Sequence, residues 1–296
     1  MTSSIYLPER GEPIIVQGIT GRFGSLHTKL MLQYGTNVAA GVTPGKQGET
    51  IEGVPVYDKV FDAVERTGAK ASILFVPAPF FLAAAEEAIL AGVKLLVSIT
   101  ERIPVRDELE LISLAQEHGV TVVGPNTPGV ILPGRKVKMG IMPAPSFRPG
   151  RIALFSRSGT LMYEIANQLS THGFGQCVAL GIGGDPINGK PITDYFDWIR
   201  DFDEADAVVT VGEIGGDTEE KLAQYIKDTG FPKPVFAYVA GRAAPKEKKM
   251  GHAGAIIYGN FGTAESKISA FKAAGVQVAM TPMEIPELVG RKLRPS

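Results

Sequence analysis

The residue with the most distinctive surroundings in this chain is a histidine. Of the four histidines, His27, His118 and His172 have ordinary helical or loop-like neighbours, whereas His252 sits in KMGHAGAII (249–257), between Gly251 and Ala253. A lone histidine is compatible with a satisfied structural role. The absence of bulky neighbours fits another reading, in which something large must reach the ring. A neutral imidazole, with a reference pKa of about 6.5, is an available nucleophile near pH 7. A partner for it is at hand: Glu213 stands among glycines in GEIGG (212–216), at the end of the apolar run ADAVVTV. A carboxylate there can orient an imidazole through its ring N–H, or can simply accept backbone amides.

Two other segments have the composition of anion sites. Ser156, Arg157, Ser158, Gly159 and Thr160 end the apolar run RIALFS and lead into the helical pattern LMYEIANQL. Hydroxyls and amides gathered at a helix start make a phosphate cradle or an ordinary Ser/Thr cap. The G-x-S-x-G elbow of a nucleophilic serine is absent. Near the N-terminus, PIIVQG runs into G18-I-T-G21-R-F-G24, with glycines spaced by three rather than as G-x-G-x-x-G. This is either a pyrophosphate-binding turn or a plain strand–helix turn. An NAD site wants an acid at the end of the second strand. Here GVTPGKQG (41–48) offers Lys46 and no acid before Glu49. A lysine suits an extra phosphate, such as the 2′-phosphate of NADP or the 3′-phosphate of coenzyme A; a solvated loop lysine is the alternative.

A third glycine segment excludes itself. GDPINGK (184–190) matches G-x-x-x-x-G-K, but the next residue is Pro191, with neither a hydroxyl for Mg²⁺ nor an amide proton for phosphate. If a nucleoside triphosphate is used, its site is expected on another polypeptide.

Residues of this kind need strand ends to position them, and the pattern supplies those. Short β-branched runs alternate with helix-period segments from end to end, as in parallel α/β layers. The first half offers strands at 13–18, 37–42, 71–77, 95–100 and 121–126, with helices such as FFLAAAEEAILAG and DELELISLAQEHG between them. MPAPSFRPG (142–150) breaks the alternation. It then restarts with strands at 151–156, 176–182, 205–214 and 233–241. The expected fold is α/β, with two doubly wound domains, 1–145 and 146–296, the second carrying His252.

Composition limits the partners. A net charge of −1 offers no basic face for nucleic acid or a membrane surface. Cys177 is the single cysteine, so neither an intrachain disulfide nor a Cys-based zinc site can form, and no metal site is expected on this chain. No apolar run approaches the ~18 residues of a membrane span, and MTSSIYLPERGEP has no signal or transit pattern. A cytoplasmic location is expected.

Taken together, GITGRFG, GVTPGK, FVPAP, SITE, GPN, SRSGTLMYE, GIGGDP, GEIGG and MGHAGAII resemble the α subunit of succinate–CoA ligase, over about residues 13–290 with the motifs in family order. The resemblance implies a CoA-binding Rossmann-like domain followed by a flavodoxin-like ligase domain. It implies a reversible reaction in which a carboxylic acid, CoA and a nucleoside triphosphate give acyl-CoA, nucleoside diphosphate and phosphate. It implies a β-subunit partner of ATP-grasp fold, in an αβ or α₂β₂ assembly, that holds ATP or GTP with Mg²⁺. Position by position, Thr20, Gly21, Arg22, Phe23, Lys46, Ile99, Thr100 and Glu101 fall on CoA-contacting positions. Tyr163 falls on the tyrosine assigned to the acid substrate, His252 on the phosphohistidine and Glu213 on its steadying carboxylate. Ser156 to Thr160 falls on the phosphate cradle.

Three departures from the family stand out: Thr127 stands where the family has a cysteine near the CoA thiol, and two others bear on the acid substrate, Arg102 where the family has glycine and the atypical NGKPITDYFDW (188–198). A malate–CoA ligase α subunit and a citryl-CoA synthetase small subunit share the same motifs. From other classes, an NADP-linked oxidoreductase would use Lys46 but leaves GEIGG and MGHAGA without a purpose. A noncatalytic CoA-binding module leaves SRSGT, Glu213 and His252 without one.

Overall fold

The computed structural model describes residues 5–244, 252, 255–257 and 262–295. In chain order the elements of the first half are β1 (Ile14–Gln17), α1 (Arg22–Tyr34), β2 (Val38–Val42), β3 (Thr50–Ile51), β4 (Val54–Tyr57), α2 (Val60–Thr67), β5 (Ala71–Leu74), α3 (Phe81–Leu90), β6 (Leu95–Ser98), α4 (Val105–Glu117), β7 (Thr121–Val123), β8 (Gly129–Leu132) and β9 (Val137–Gly140). Strands β1, β5 and β6 are buried at every position. That is why they read as unbroken apolar runs: parallel strands covered by helices on both faces have no solvent side to mark with polar residues.

In the N-terminal unit these strands lie in the order β3-β4-β2-β1-β5-β6-β7. All pair in parallel except the short edge strand β3, which is antiparallel to β4. The order reverses between β1 and β5, whose registers match from Ile14↔Ala71 to Gln17↔Leu74. At such a switch point the strand ends splay and leave a crevice. Helix α1 stops at Gly35, whose left-handed backbone (φ 107°) turns the chain and whose N–H caps the last carbonyls.

The second half carries β10 (Pro149–Ser156), α5 (Gly159–Thr171), β11 (Gln176–Gly181), α6 (Ile192–Arg200), β12 (Ala207–Glu213), α7 (Thr218–Thr229), β13 (Val235–Ala240), α8 (Ala264–Ala273), β14 (Gln277–Ala279) and α9 (Ile285–Gly290). Its strands run β14-β13-β12-β10-β11 and every pair is parallel. This is the flavodoxin-like order 2-1-3-4-5, with its switch point between β10 and β12. Phe155, Tyr195, Phe196 and Phe231 stack into one aromatic cluster beneath that point.

The chain divides into two compact units, Ile5–Met142 with Ile187–Lys190, and Pro143–Pro186 with Pro191 onwards. A single boundary between 145 and 146 does not describe the return of Ile187–Lys190, where Gly189 N donates to Gly124 O at 2.9 Å. The β8–β9 hairpin and the strands β3, β4 and β14 fall where the sequence pattern predicts no strand. The segment TI has only two residues, and GVIL, VKMG, VPVY and QVA are short and interrupted or bounded by Gly, Pro, Lys or Gln, so they form no unbroken β-branched run. Among the described residues, no helix is long and apolar enough to cross a membrane.

Candidate active site

The C-terminal end of β12 delivers Glu213, and the loop after β10 delivers Arg157 and Ser158, so both sides of the switch point contribute polar groups. His252 joins them. Its Nδ1 lies 2.9 Å from both Glu213 oxygens. An ionised carboxylate can only accept, so Nδ1 carries the proton and donates it, which leaves the Nε2 lone pair for chemistry. Glu213 is 10% and His252 27% exposed in their side chains, so the pair is shielded from water but reachable. The Glu213 hydrogen bond raises the His252 pKa above its ordinary value, against the lowering effects of burial and the Arg157 guanidinium; Asp185 adds a small rise.

Gly184 packs close against the ring. A Cβ there would stand 2.6 Å from His252 Cδ2, so GIGGDP has glycine where any side chain would collide with the imidazole. In front of the ring is a cavity of about 280 Å³ lined by Ser158, Leu161, Glu213, Ala240, Gly241 and His252, among others. The N-terminus of α5 faces the same group of residues. Ser158 caps it, Oγ accepting from Leu161 N at 3.4 Å. Ser156 turns inward, its Oγ donating to Ser158 O at 2.7 Å and accepting from Ser158 N at 3.1 Å. The amides of Gly159 and Thr160, at the first positions of α5, have no intrahelical acceptors. Arg157 Nη2 lies 3.6 Å from Glu213 Oε1.

Of the five cradle residues, only Ser158 therefore lines the cavity. Ser156 and Arg157 act on its walls. Tyr163, one turn into α5, packs edge-on against Phe147 (6.4 Å between ring centroids) and is not among the cavity-lining residues. Burial pushes its phenol up to about 12. Gly251 and Gly254, on either side of His252 in the sequence, lie outside the described residues.

The N-terminal unit has its own cavity, about 430 Å³, at the C-terminal ends of β1, β2 and β5, lined by Gly18, Thr43, Val76, Pro77, Phe80 and Glu87 among others. Gly21 starts α1, its N–H donating to Gly18 O at 3.1 Å. Thr20 Oγ1 bonds Thr43 Oγ1 at 3.2 Å, joining the loops after β1 and β2. Arg22 and Phe23 are exposed, Phe23 at 68%. Lys46 pairs with Glu49 at 2.9 Å, and its backbone N–H and that of Gln47 both donate to Asp58 Oδ1. Ile99 N bonds Leu74 O at 3.2 Å, Thr100 Oγ1 donates to Val76 O at 2.7 Å, and exposed Glu101 lies beside Arg102. None of the eight sequence-predicted CoA positions lines the cavity itself. Thr43, Val76, Pro77 and Phe80 do, and GVTPGK and FVPAP, both conspicuous in the sequence, are the signal for them.

The tightness of this loop supports a prediction. A Cβ on Gly24 would stand 2.1 Å from Gly18 O. Gly24→Ala must displace the glycine turn, and CoA affinity measured by calorimetry is expected to fall by at least about 10-fold, with roughly 1–3 kcal/mol of stability lost to overpacking. Unchanged CoA affinity would mean that the turn takes no part in binding.

Among the described residues, no cluster of His, Cys, Asp or Glu could hold a metal ion.

Residues 10–102 match the family model described as CoA binding domain, and residues 155–277 match that of CoA-ligase. The succinate–CoA ligase [ADP-forming] subunit alpha 2 of Archaeoglobus fulgidus is 52% identical over 98% of this chain and 100% of its own length. The corresponding α subunit of Aquifex aeolicus is 49% identical over 97% of this chain and 94% of its own length. Among solved structures, a Methanosaeta concilii ATP citrate lyase in complex with (3S)-citryl-CoA superposes with a TM-score of 0.87 at 23% identity, over 97% of this chain and 50% of that one. A Candidatus Korarchaeum cryptofilum dinucleotide-forming acetyl-coenzyme A synthetase 1 superposes at 0.74, with 21% identity, over 92% of this chain and 58% of that one. At these identities the structures establish a shared fold, and this chain spans only half or so of each. The sequence relatives match along nearly their whole length at close to half identity, and family models match in both halves of the chain: this chain belongs to the family of succinate–CoA ligase α subunits.

Proposed function

We propose that this chain is the α subunit of an NDP-forming CoA ligase that joins succinate to CoA, with His252 as the phosphoryl carrier. The observation that carries the reading is the bidentate Glu213 contact to His252 Nδ1, which leaves Nε2 as a nucleophile in front of a helix N-terminus.

In the first step the Nε2 lone pair attacks the γ-phosphorus of a nucleoside triphosphate. The N–P bond forms, the bond to the β-phosphate oxygen breaks, and the diphosphate leaves. The ring gains positive charge, which Glu213 offsets across the hydrogen bond already in place, as a triad carboxylate does for its histidine. The α5 amides and dipole favour the phosphoryl oxygens, with the Arg157 guanidinium nearby. A carboxylate oxygen of the acid then attacks phosphorus and the N–P bond breaks, giving an acyl phosphate and neutral His252. The CoA sulfur attacks the acyl carbon; the C–S bond forms, the C–O bond to phosphate breaks, and the thiol proton passes to phosphate or solvent. No side chain of this chain carries the acyl group.

The match of residues 10–102 to the CoA binding domain supports reading the first glycine loop as part of a CoA site. On this reading Thr20, Gly21, Arg22, Phe23, Lys46, Ile99, Thr100 and Glu101 contact CoA around the cavity after β1 and β2. Lys46, now paired with Glu49, exchanges that exposed partner for a phosphate. Tyr163, neutral at physiological pH, donates to a carboxylate of the acid. The nucleotide and Mg²⁺ belong to a β subunit of ATP-grasp fold, a reading supported by GDPINGK being followed by Pro191 where a P-loop needs Ser or Thr.

The test is to reconstitute the chain with its β subunit and assay succinate, malate and citrate side by side, trapping the phosphoprotein from labelled ATP. Turnover with succinate and an acid-labile, base-stable label are expected. Turnover with malate or citrate alone would overturn the choice of acid, and absence of the label would overturn the relay.

A further inference from the structure

One buried ionic group takes no part in the chemistry described so far. Lys267 on α8 is fully buried and pairs with Glu219 on α7, itself 2% exposed. The ammonium also donates to Gly216 O at 3.1 Å and lies 3.3 Å from Glu220 Oε2. The second Glu219 oxygen, Oε1, accepts from the backbone N–H of Glu213 at 3.2 Å. The turn that presents Glu213 is therefore held at both ends, at Glu213 N by Glu219 and at Gly216 O by Lys267. Between them, Gly215 N donates to Gly262 O at 2.8 Å, just ahead of α8. The approach is close: a Cβ on Gly212 would stand 2.6 Å from Glu219 Cγ and 2.7 Å from Oε1. Glu219 reaches the backbone of residue 213 because residue 212 has no side chain.

A buried ion pair is weak evidence for a stability role, because well-packed apolar residues often serve as well. The orienting contact of Glu213 is more demanding, since both oxygens must stay 2.9 Å from one ring nitrogen, and a loosened support forfeits that geometry. We infer that Glu219, paired with Lys267, is a positioning residue for the phosphoryl relay, setting the Glu213 carboxylate against His252 through the backbone of the 212–216 turn. It rests on the reading of His252 as phosphoryl carrier, and it acts without touching the imidazole. The charged groups that bear on His252 are Glu213 on β12, Arg157 after β10 and Asp185 after β11. Glu219 is not one of them, so its effect on His252 must pass through the placement of Glu213.

Two charge-neutral double variants separate positioning from charge. Glu219→Leu/Lys267→Met leaves no buried charge unpaired but removes the acceptor for Glu213 N–H. Glu219→Gln/Lys267→Met is equally neutral and keeps it. In the reconstituted α–β pair, the first is expected to lose at least about 10-fold in kcat with KM for CoA unchanged. In the full-length chain its His252 titration, followed by NMR, is expected to move to lower pH. The second is expected to stay within about 3-fold in kcat and to keep the wild-type midpoint. If the first fails to fold, Gly212→Ala, which drives Glu219 off the backbone, takes its place with the same expectation. A wild-type midpoint and kcat in the acceptor-free variant, or equal losses in both double variants, would overturn the inference. Because the titration midpoint is read without turnover, a failed relay, seen as ligase activity surviving His252→Ala, is distinguishable from failed positioning.

Discussion

His252→Ala is expected to abolish ligase turnover, lowering kcat by at least roughly 10⁴-fold, as removal of a covalent nucleophile does elsewhere. The expectation is this severe because the described residues lining the cavity supply no second free nucleophile. In the cavity before the ring, Ser158 is committed to capping α5, and Ser156, behind it, is turned into its own loop. On the proposed division of sites between subunits, direct attack of the acid on the nucleotide would have to span from one site to the other. The variant should fold normally, since the imidazole is partly exposed and its hydrogen bond among the described residues is to Glu213. CoA affinity should be unchanged, because CoA is bound by the N-terminal unit. The measurement is single-turnover labelling of the reconstituted pair with labelled ATP, followed by steady-state thioester formation. Label retained on the variant, or turnover within 10-fold of wild type, would place the carrier elsewhere.

The second large effect is that of Glu213→Gln, and its signature is in pH as well as rate. In the wild type the Glu213 hydrogen bond is the largest contribution raising the His252 pKa; burial and Arg157 lower it, and Asp185 raises it slightly. Replacing the carboxylate by an amide removes both Glu213 contributions and leaves the lowering effects dominant, so the His252 midpoint moves to lower pH. Since only the neutral ring attacks, wild-type phosphorylation should decline as pH falls through the raised midpoint, whereas the variant's should persist to lower pH. Its ceiling should nonetheless be lower by about 10²- to 10⁴-fold, because the tautomer is no longer specified and the charge gained on phosphorylation is unopposed. Rates of phosphohistidine formation between about pH 5.5 and 8.5 test both halves. An acid limb that stays in place would mean that Glu213 does not govern the ring.

Stability should follow the same linkage. A histidine whose folded pKa lies above its unfolded value contributes stability that is fully present below the unfolded value and is lost as pH rises through the folded one. Thermal unfolding should therefore separate wild type from Glu213→Gln most on the acid side of about 6.5, and the difference should shrink above the raised midpoint. A gap that widened with pH would contradict the direction of the shift.

Much of this site is legible in the amino-acid sequence. The long strands announce themselves as apolar runs because both their faces are buried, and Glu213 and SRSGT fall at strand ends because that is where a doubly wound sheet opens. Pro191 excludes a P-loop on local chemistry alone. Features that depend on where the chain returns are not legible there. Glu219 and Lys267 are two charged residues on separate helix patterns, and nothing local says that both will be buried against one turn. The same is true of Asp58, which fixes the Lys46 loop through its backbone amides, and of the β8–β9 hairpin, whose strands GVIL and VKMG are bounded or interrupted by glycine and lysine.

Hydrophobic period and residue type are local properties, so the α/β class, the succession of strands along the chain and the set of residues with chemistry to offer all follow from the amino-acid sequence. Folding in three dimensions settles the remainder. It makes Nδ1 the ring nitrogen that faces Glu213, makes Gly184 and Gly212 the places where a side chain would collide, and turns Ser158 rather than Ser156 toward the cavity. Those outcomes depend on how loops and helix starts pack against one another, where a few tenths of an ångström separate a hydrogen bond from a clash.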